Sequence, residues 1–214
     1  MADWDRARVA GAFDVSRETL DRFETYLGLL ETWRRRLNLT GRATAADMWG
    51  RHIADSLQVI PLAPGHARVW LDLGSGAGAP GLVIAIALRG RPGLEMHLVE
   101  ANARKCGFLE LAAARTGAPA VIHNCRVEEL ARSDDRPRPD VITARAFAPL
   151  SRLVPLAVPL MWKNTVLLLH KGQDVERELT EAAISSTMTV DRRASVTDPA
   201  ATILRLEEAR GDGA

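Results

Sequence analysis

The sequence predicts a doubly wound α/β fold of the Rossmann-like kind, a parallel sheet covered by helices on both faces. Three observations predict it: strand and helix patterns alternate from Val69 onward, a glycine-rich turn follows the first strand, and an acid closes the second. The strands read as Val69–Leu73, Glu95–Glu100, Ala120–His123, Val141–Ala144 and Thr165–Leu169. Between and after them the helices read as Pro80–Leu88, Asn102–Arg115 and stretches following Pro149 and Asp174. Strands separated by helices need crossover connections and therefore pair in parallel. The tail departs from this rhythm, because Thr187–Val196 and Thr202–Leu206 are successive strands with Asp198-Pro199 between them. An antiparallel C-terminal hairpin at one sheet edge follows.

Ahead of the sheet lies an N-terminal helical extension. Ser16 is placed to cap a helix in which Leu20, Phe23, Leu27, Leu30, Trp33 and Leu37 recur at three- and four-residue steps. A second helical stretch carries Met48, His52, Ile53, Leu57 and Ile60, so two helices precede the first strand. Pro61-Leu62-Ala63-Pro64-Gly65 then breaks helix. The division expected is residues 1–64 for the extension and 65–210 for the ligand-binding domain.

A chain of 214 residues, 47% hydrophobic and 26% charged, has the balance of an ordinary globular protein. Its longest nearly apolar runs, Ala79–Leu88 and Leu153–Trp162, span ten residues each. A membrane span needs roughly twenty. The first residues show neither a cationic leader nor an apolar stretch, and the two cysteines, Cys106 and Cys125, lack metal-ligand spacing. A cytoplasmic protein with reduced thiols is expected, with no membrane association and no obligate protein partner. The net charge of +1 gives no global attraction to a polyanion, so any nucleic-acid contact must come from local clusters.

The first strand, ending Leu71-Asp72-Leu73, runs directly into Gly74-Ser75-Gly76-Ala77-Gly78-Ala79-Pro80-Gly81. In a doubly wound sheet this turn lies at the carboxyl edge, where glycines let backbone amides approach a ligand. Gly74, Gly76, Gly78 and Ala79 are therefore candidate cofactor contacts. Gly76–Gly81 satisfies G-x-G-x-x-G, a pattern that does not separate a nicotinamide dinucleotide from S-adenosylmethionine. Asp72 favours the second, because a carboxylate suits a ligand ammonium or the amides of the loop and is unhelpful beside a pyrophosphate. Glu100 ends the second strand nineteen residues after Gly81, where an acid can accept hydrogen bonds from both hydroxyls of an adenosine ribose. The loop His123–Leu130 passes the same edge and offers an apolar side chain to an adenine ring. Arg145 follows the fourth strand among Ala144, Ala146 and Phe147, a setting that favours a role in binding cofactor or substrate. No acid pair, metal-spaced His/Cys set or Ser/His constellation stands out. That absence fits methyl transfer from a sulfonium, which needs placement rather than a base.

Together these segments resemble one family, the bacterial small-subunit ribosomal RNA guanine-N7 methyltransferases of the RsmG (GidB) type. The resemblance is carried by Asn38-Leu39-Thr40, Arg51-His52-Ile53-Ala54-Asp55-Ser56-Leu57, the Asp72–Gly81 loop, Arg126-Val127-Glu128-Glu129, Arg145-Ala146-Phe147 and Lys171-Gly172. It implies a class I S-adenosylmethionine-dependent methyltransferase fold in residues 65–210. It also implies cofactor contacts at Gly74, Ala79, Val127, Glu128 and Arg145, with Glu100 on the ribose. Ala79 stands where the family commonly has a larger apolar residue. The implied substrate is 16S ribosomal RNA, alone or within the small subunit, methylated at guanine 527 of the usual numbering near the decoding centre. Guanine N7 carries a lone pair and no proton, so no general base is expected. Candidates for RNA contact are Arg34, Arg35, Arg36, Arg42, Arg51, Arg145 and Lys171. Two other readings compete: a nicotinamide-dependent oxidoreductase, from the literal glycine fingerprint, and a non-catalytic RNA-binding module on the same fold.

Overall fold

The computed structural model describes residues 4–37, 47–184 and 187–208, with backbone alone for 34–37. Seven strands form one sheet: β1 Val69–Leu73, β2 Glu95–Val99, β3 Ala120–His123, β4 Val141–Arg145, β5 Val166–Lys171, β6 Met188–Ala194 and β7 Thr202–Glu208. Their spatial order is β3-β2-β1-β4-β5-β7-β6. The first five pair in parallel. β7 runs antiparallel to β5, and β6 closes the edge antiparallel to β7. The expected edge hairpin is therefore present, with its second strand on the inside. Strand order reverses between β1 and β4, which in open α/β sheets opens a crevice at the carboxyl ends.

Strand residues alternate between two faces, and each face has its own core. Trp70, Met96, Leu98 and Leu168 meet α2 (Arg17–Leu37), α4 (Gly81–Ala87) and α5 (Ala103–Thr116) through Phe23, Tyr26, Ile84 and Phe108. Leu71, Leu73, Ile142 and Leu169 meet α6 (Val127–Arg132), α7 (Leu150–Ala157) and α8 (Val175–Ala182) on the other side. Helix ends follow local chemistry. Ser16 Oγ accepts from Thr19 N at 3.2 Å, Asn102 accepts from the amides of Arg104 and Lys105, and Gly117 ends α5 at φ +64°.

Several elements differ from the sequence expectation. A short helix α1 (Arg6–Phe13), capped by Asp5, precedes α2, so the extension holds more than two helical segments. The second stretch is π-helical over Trp49–Ala54 and continues as α3 (Asp55–Leu57). Apolar spacing does not distinguish a wider turn from an α-helix, and π segments concentrate near functional sites. The loop expected over 123–130 is helical from Val127, where α6 begins.

Gly81 opens α4 flush against the sheet: a Cβ there would stand 2.5 Å from Leu98 Cδ2 and 2.6 Å from Asp72 Cβ. Gly81→Ala should therefore lower stability by about 1–3 kcal/mol through overpacking. Urea unfolding reads the change, and an unaltered midpoint would show that α4 moves away from β1 freely.

Candidate functional site

A cavity of about 470 Å³ opens at the strand-order reversal. Its floor is the glycine turn. Gly74, Gly76 and Gly78 have φ of +69°, +55° and +94°, a left-handed region that glycine enters without a Cβ penalty. Gly74 is also crowded, because a Cβ on it would run into the Phe147 ring. Ser75 N donates to Val99 O at 2.9 Å, Gly78 N to Ser75 O at 2.7 Å, and Tyr26 Oη to Ala77 O at 2.8 Å. The last bond reaches from α2 in the extension to the loop. Burial pushes the Tyr26 hydroxyl well above its ordinary titration range, so it stays a donor.

Glu100 forms the side of the cavity beside the loop. Its Oε2 accepts from Gly76 N at 3.0 Å and its Oε1 from Asn102 N at 2.8 Å. Each carboxylate oxygen has a second lone pair, so the bonds that fix the side chain leave capacity for two ligand hydroxyls. Val127, 4% exposed, and Glu128 face the cavity from the first turn of α6, and Ala79 does so from the loop.

Arg145 ends β4 and fixes the opposite wall. Its Nη1 donates to Asp55 Oδ2 at 2.9 Å and to the Arg51 carbonyl. Asp55 also receives Gln58 Nε2 at 2.7 Å and Thr197 Oγ1 at 2.9 Å on Oδ1. The Asp55 carbonyl lies 2.8 Å from His170 Nε2. A carbonyl only accepts, so Nε2 is the protonated nitrogen of a neutral His170, whose pKa is lowered first by burial. His52, on the π-helical segment, lines the same cavity, and its two ring nitrogens have no partner among the described residues. Burial first, then the Arg145 charge, depresses its pKa to about 3, so it is neutral at physiological pH. Ala146, next to Arg145, takes φ +50°, a conformation uncommon outside glycine.

Of the expected cofactor residues, Gly74, Gly76, Ala79, Glu100, Val127, Glu128 and Arg145 line the cavity. Asp72 and Gly78 do not. Asp72 is fully buried beneath the loop, and its Oδ1 accepts from Thr143 Oγ1 at 2.7 Å. Burial raises its carboxyl pKa, offset in part by that hydrogen bond. Gly78 shapes the turn, packed on Leu82. Lys105 and Arg152 are cavity residues that sequence reasoning did not name, and Phe147 and Cys125, named without a site role, line it as well. The RNA candidates whose side chains are described, Arg51, Arg145 and Lys171, lie near one another, with Arg145 donating to the Arg51 carbonyl and sharing a cavity with Lys171. Arg51 is exposed, whereas Lys171 is 8% exposed, with Nζ 2.6 Å from Glu178 Oε2 and 3.0 Å from Ala148 O. The side chains of Arg34, Arg35 and Arg36, and Arg42 entirely, lie outside the described residues, as does Asn38-Leu39-Thr40.

Two outcomes follow from this geometry. If Glu100 holds an adenosine ribose, Glu100→Ala should weaken S-adenosylmethionine binding by about 1–3 kcal/mol, because both hydroxyls would lose a charged acceptor. Unchanged affinity by calorimetry would remove the ribose assignment. For His52, the unfolded chain takes up a proton near pH 6.5 while the folded chain resists to about 3. Between those values the unfolded state binds more protons, so the His52 contribution to stability falls as pH drops. His52→Met should gain about 2 kcal/mol relative to the parent between pH 7 and pH 5. Parallel stability curves for the two proteins would show that His52 ionises freely.

Comparison with known proteins places the chain. Residues 19–202 match the GidB family, described as rRNA small subunit methyltransferase G. A relative named ribosomal RNA small subunit methyltransferase G from Methylorubrum populi is 48% identical over 201 residues, covering 94% of each chain. One of the same name from Rhodospirillum rubrum is 50% identical over 194 residues, covering 91% of this chain and 92% of its own. Among solved structures, an O-methyltransferase from Bacillus cereus in complex with SAH superposes with a TM-score of 0.64 at 13% identity, covering 95% of this chain and 96% of its own. A ribosomal protein L11 methylase from Lactobacillus delbrueckii subsp. bulgaricus gives 0.57 at 16% identity, covering 72% of this chain and 76% of its own. At such identities these two speak for the fold, a class I methyltransferase sheet. By both the extent of the match and the identity of its relatives, the chain belongs to the GidB family of rRNA small subunit methyltransferases.

Proposed function

We propose that this protein transfers a methyl group from S-adenosylmethionine to N7 of a guanine in 16S ribosomal RNA, the position numbered 527 near the decoding centre. The observation that carries the reading is the cavity at the strand reversal, where Glu100 is tied to the Gly76 amide and keeps acceptor capacity for a ribose. The donor set suits the cofactor: left-handed glycine backbone at Gly74 and Gly76, free of side chains, for the amino-acid part, Val127 against the adenine, and Glu128 for its polar edge. Family membership counts against a nicotinamide-dependent oxidoreductase.

S-adenosylmethionine supplies a methyl group on positively charged sulfur, so the transfer forms a nitrogen–carbon bond, breaks a sulfur–carbon bond, leaves that electron pair on sulfur and moves no proton. The chain therefore has to orient and to compensate charge. Asp55 neutralises Arg145 at the wall, which spares the methylated base an unpaired guanidinium beside it. Neutral His52 adds no further charge there.

We assign the RNA footprint to the extension in residues 1–64, with Arg34, Arg35, Arg36 and Arg51 as phosphate contacts, and Arg145 and Lys171 as organisers of the wall where RNA meets the cavity. The substrate is 16S RNA, alone or within the small subunit, and the reaction is cytoplasmic. Among the described residues no helix is long and apolar enough to cross a membrane.

Labelled methyl transfer to small subunits from a strain lacking this enzyme tests the reading. The expected product is N7-methylguanosine at one site; label in another position, or none, would overturn it, and RNA binding without transfer would favour the non-catalytic module. Replacing Arg34, Arg35 and Arg36 together by Ala should leave cofactor affinity intact, weaken the RNA substrate and flatten its salt dependence by up to about three units of logarithmic slope. Unchanged kinetics at low and high salt would return these arginines to a solvated helix face.

A further inference from the structure

A second cavity, of about 530 Å³, lies on the far side of Arg145, Ala146 and Phe147, which line both cavities. Its remote wall holds His170, Lys171 and Glu178. Lys171 and Glu178 are a close ion pair at 2.6 Å with side-chain exposures of 8% and 16%. Taking such a pair out of water is repaid only where the remaining lone pairs and protons find hydrogen bonds. Glu178 Oε2 already takes the Leu150 amide at 2.8 Å as well as Lys171. Glu178 Oε1 has no hydrogen bond among the described residues. The shared wall is suited to a flat ligand, because the Phe147 ring sits against Gly74 on the cofactor side and borders the second cavity on the other. Ala146, at φ +50°, sets the turn of chain that puts Arg145 and Phe147 there.

We infer that this second cavity receives the acceptor guanine, with Glu178 Oε1 accepting from its donor edge, N1–H and the 2-amino group, and Phe147 bordering the ring. The inference rests on the proposed guanine-N7 reaction and adds the residue that recognises the base. Guanine is the base whose Watson–Crick edge offers two adjacent donors to one carboxylate. N7 lies on the side of the ring away from N1 and the amino group, so anchoring that edge on the remote wall turns N7 toward the cavity that Glu100 borders. As N7 gains its methyl group the ring becomes cationic and N1–H a stronger donor. The hydrogen bond to Glu178 then strengthens as charge develops, with the proton remaining on N1. Lys171 holds the carboxylate in position.

The test uses small subunits reconstituted with 16S RNA carrying either guanosine or inosine at the target. Inosine keeps N7 and N1–H and lacks only the 2-amino group. With the intact protein, single-turnover methylation of inosine should be roughly ten- to hundredfold slower. In Glu178→Gln, whose amide turns a donor toward the base, guanosine should slow by a similar factor and the inosine penalty should vanish, while S-adenosylmethionine affinity stays that of the parent. Glu178→Asp, which keeps the charge, should recover part of the guanosine rate and of the discrimination. Equal rates on guanosine and inosine with the intact protein would overturn the inference whatever the variants do, and an inosine penalty that persists in a folded Glu178→Gln would overturn the assignment to Glu178. Failure of the intact protein to form N7-methylguanosine on the guanosine subunits would instead bring down the underlying reaction.

Discussion

Three distant stretches of chain and one neighbouring residue converge on the Asp55 carboxylate and carbonyl. Arg145 from the end of β4, Gln58 from its own segment, Thr197 from the β6–β7 turn and His170 from β5 all bond to it. A half-buried carboxylate satisfied by several donors gives a geometry that is costly to break, because each donor left behind would lose its partner away from water. The cavity wall, the partition between the two cavities and the attachment of the helical extension to the sheet edge all depend on this one residue. The π-helical turn that precedes it carries the Arg51 carbonyl to Arg145 and His52 to the cavity. The irregular helix is thus part of how the extension reaches the site.

The cofactor side is organised by a second carboxylate. Glu100 accepts from amides on both sides of it in the fold, Gly76 in the loop and Asn102 at the start of α5, and so locks the glycine turn to the end of β2. Asp72 supports the same turn from below through Thr143, and β1 and β4 are thereby joined across the strand reversal. The two acids divide the labour: one meets the ligand space and the other is sealed beneath it.

Much of this was legible in the sequence because it is local. The strand and helix periods placed β1 to β5 within a residue or two of their observed ends, and the glycine turn with Glu100 marked the cavity before any tertiary information. What the sequence concealed is tertiary. The bond from Arg145 to Asp55 spans ninety residues, and the contact of Phe147 with Gly74 spans seventy-three; neither leaves a local pattern. Asp72 was misplaced for a related reason: a strand-end acid has the same spacing whether it faces a ligand or a buried threonine. Val127 read as loop because six residues of helix carry too few apolar repeats to show a period.

The hydroxyl of Tyr26 on the Ala77 carbonyl joins a helix outside the sheet to the glycine turn that floors the first cavity. One consequence concerns modularity. A hybrid enzyme that borrows α2 from a relative inherits a supported turn only if the donor helix brings a phenol at the same register and the same depth of insertion beside Phe108. Cutting the chain at the proline-rich break would divide a core that α2 shares with α4 and α5.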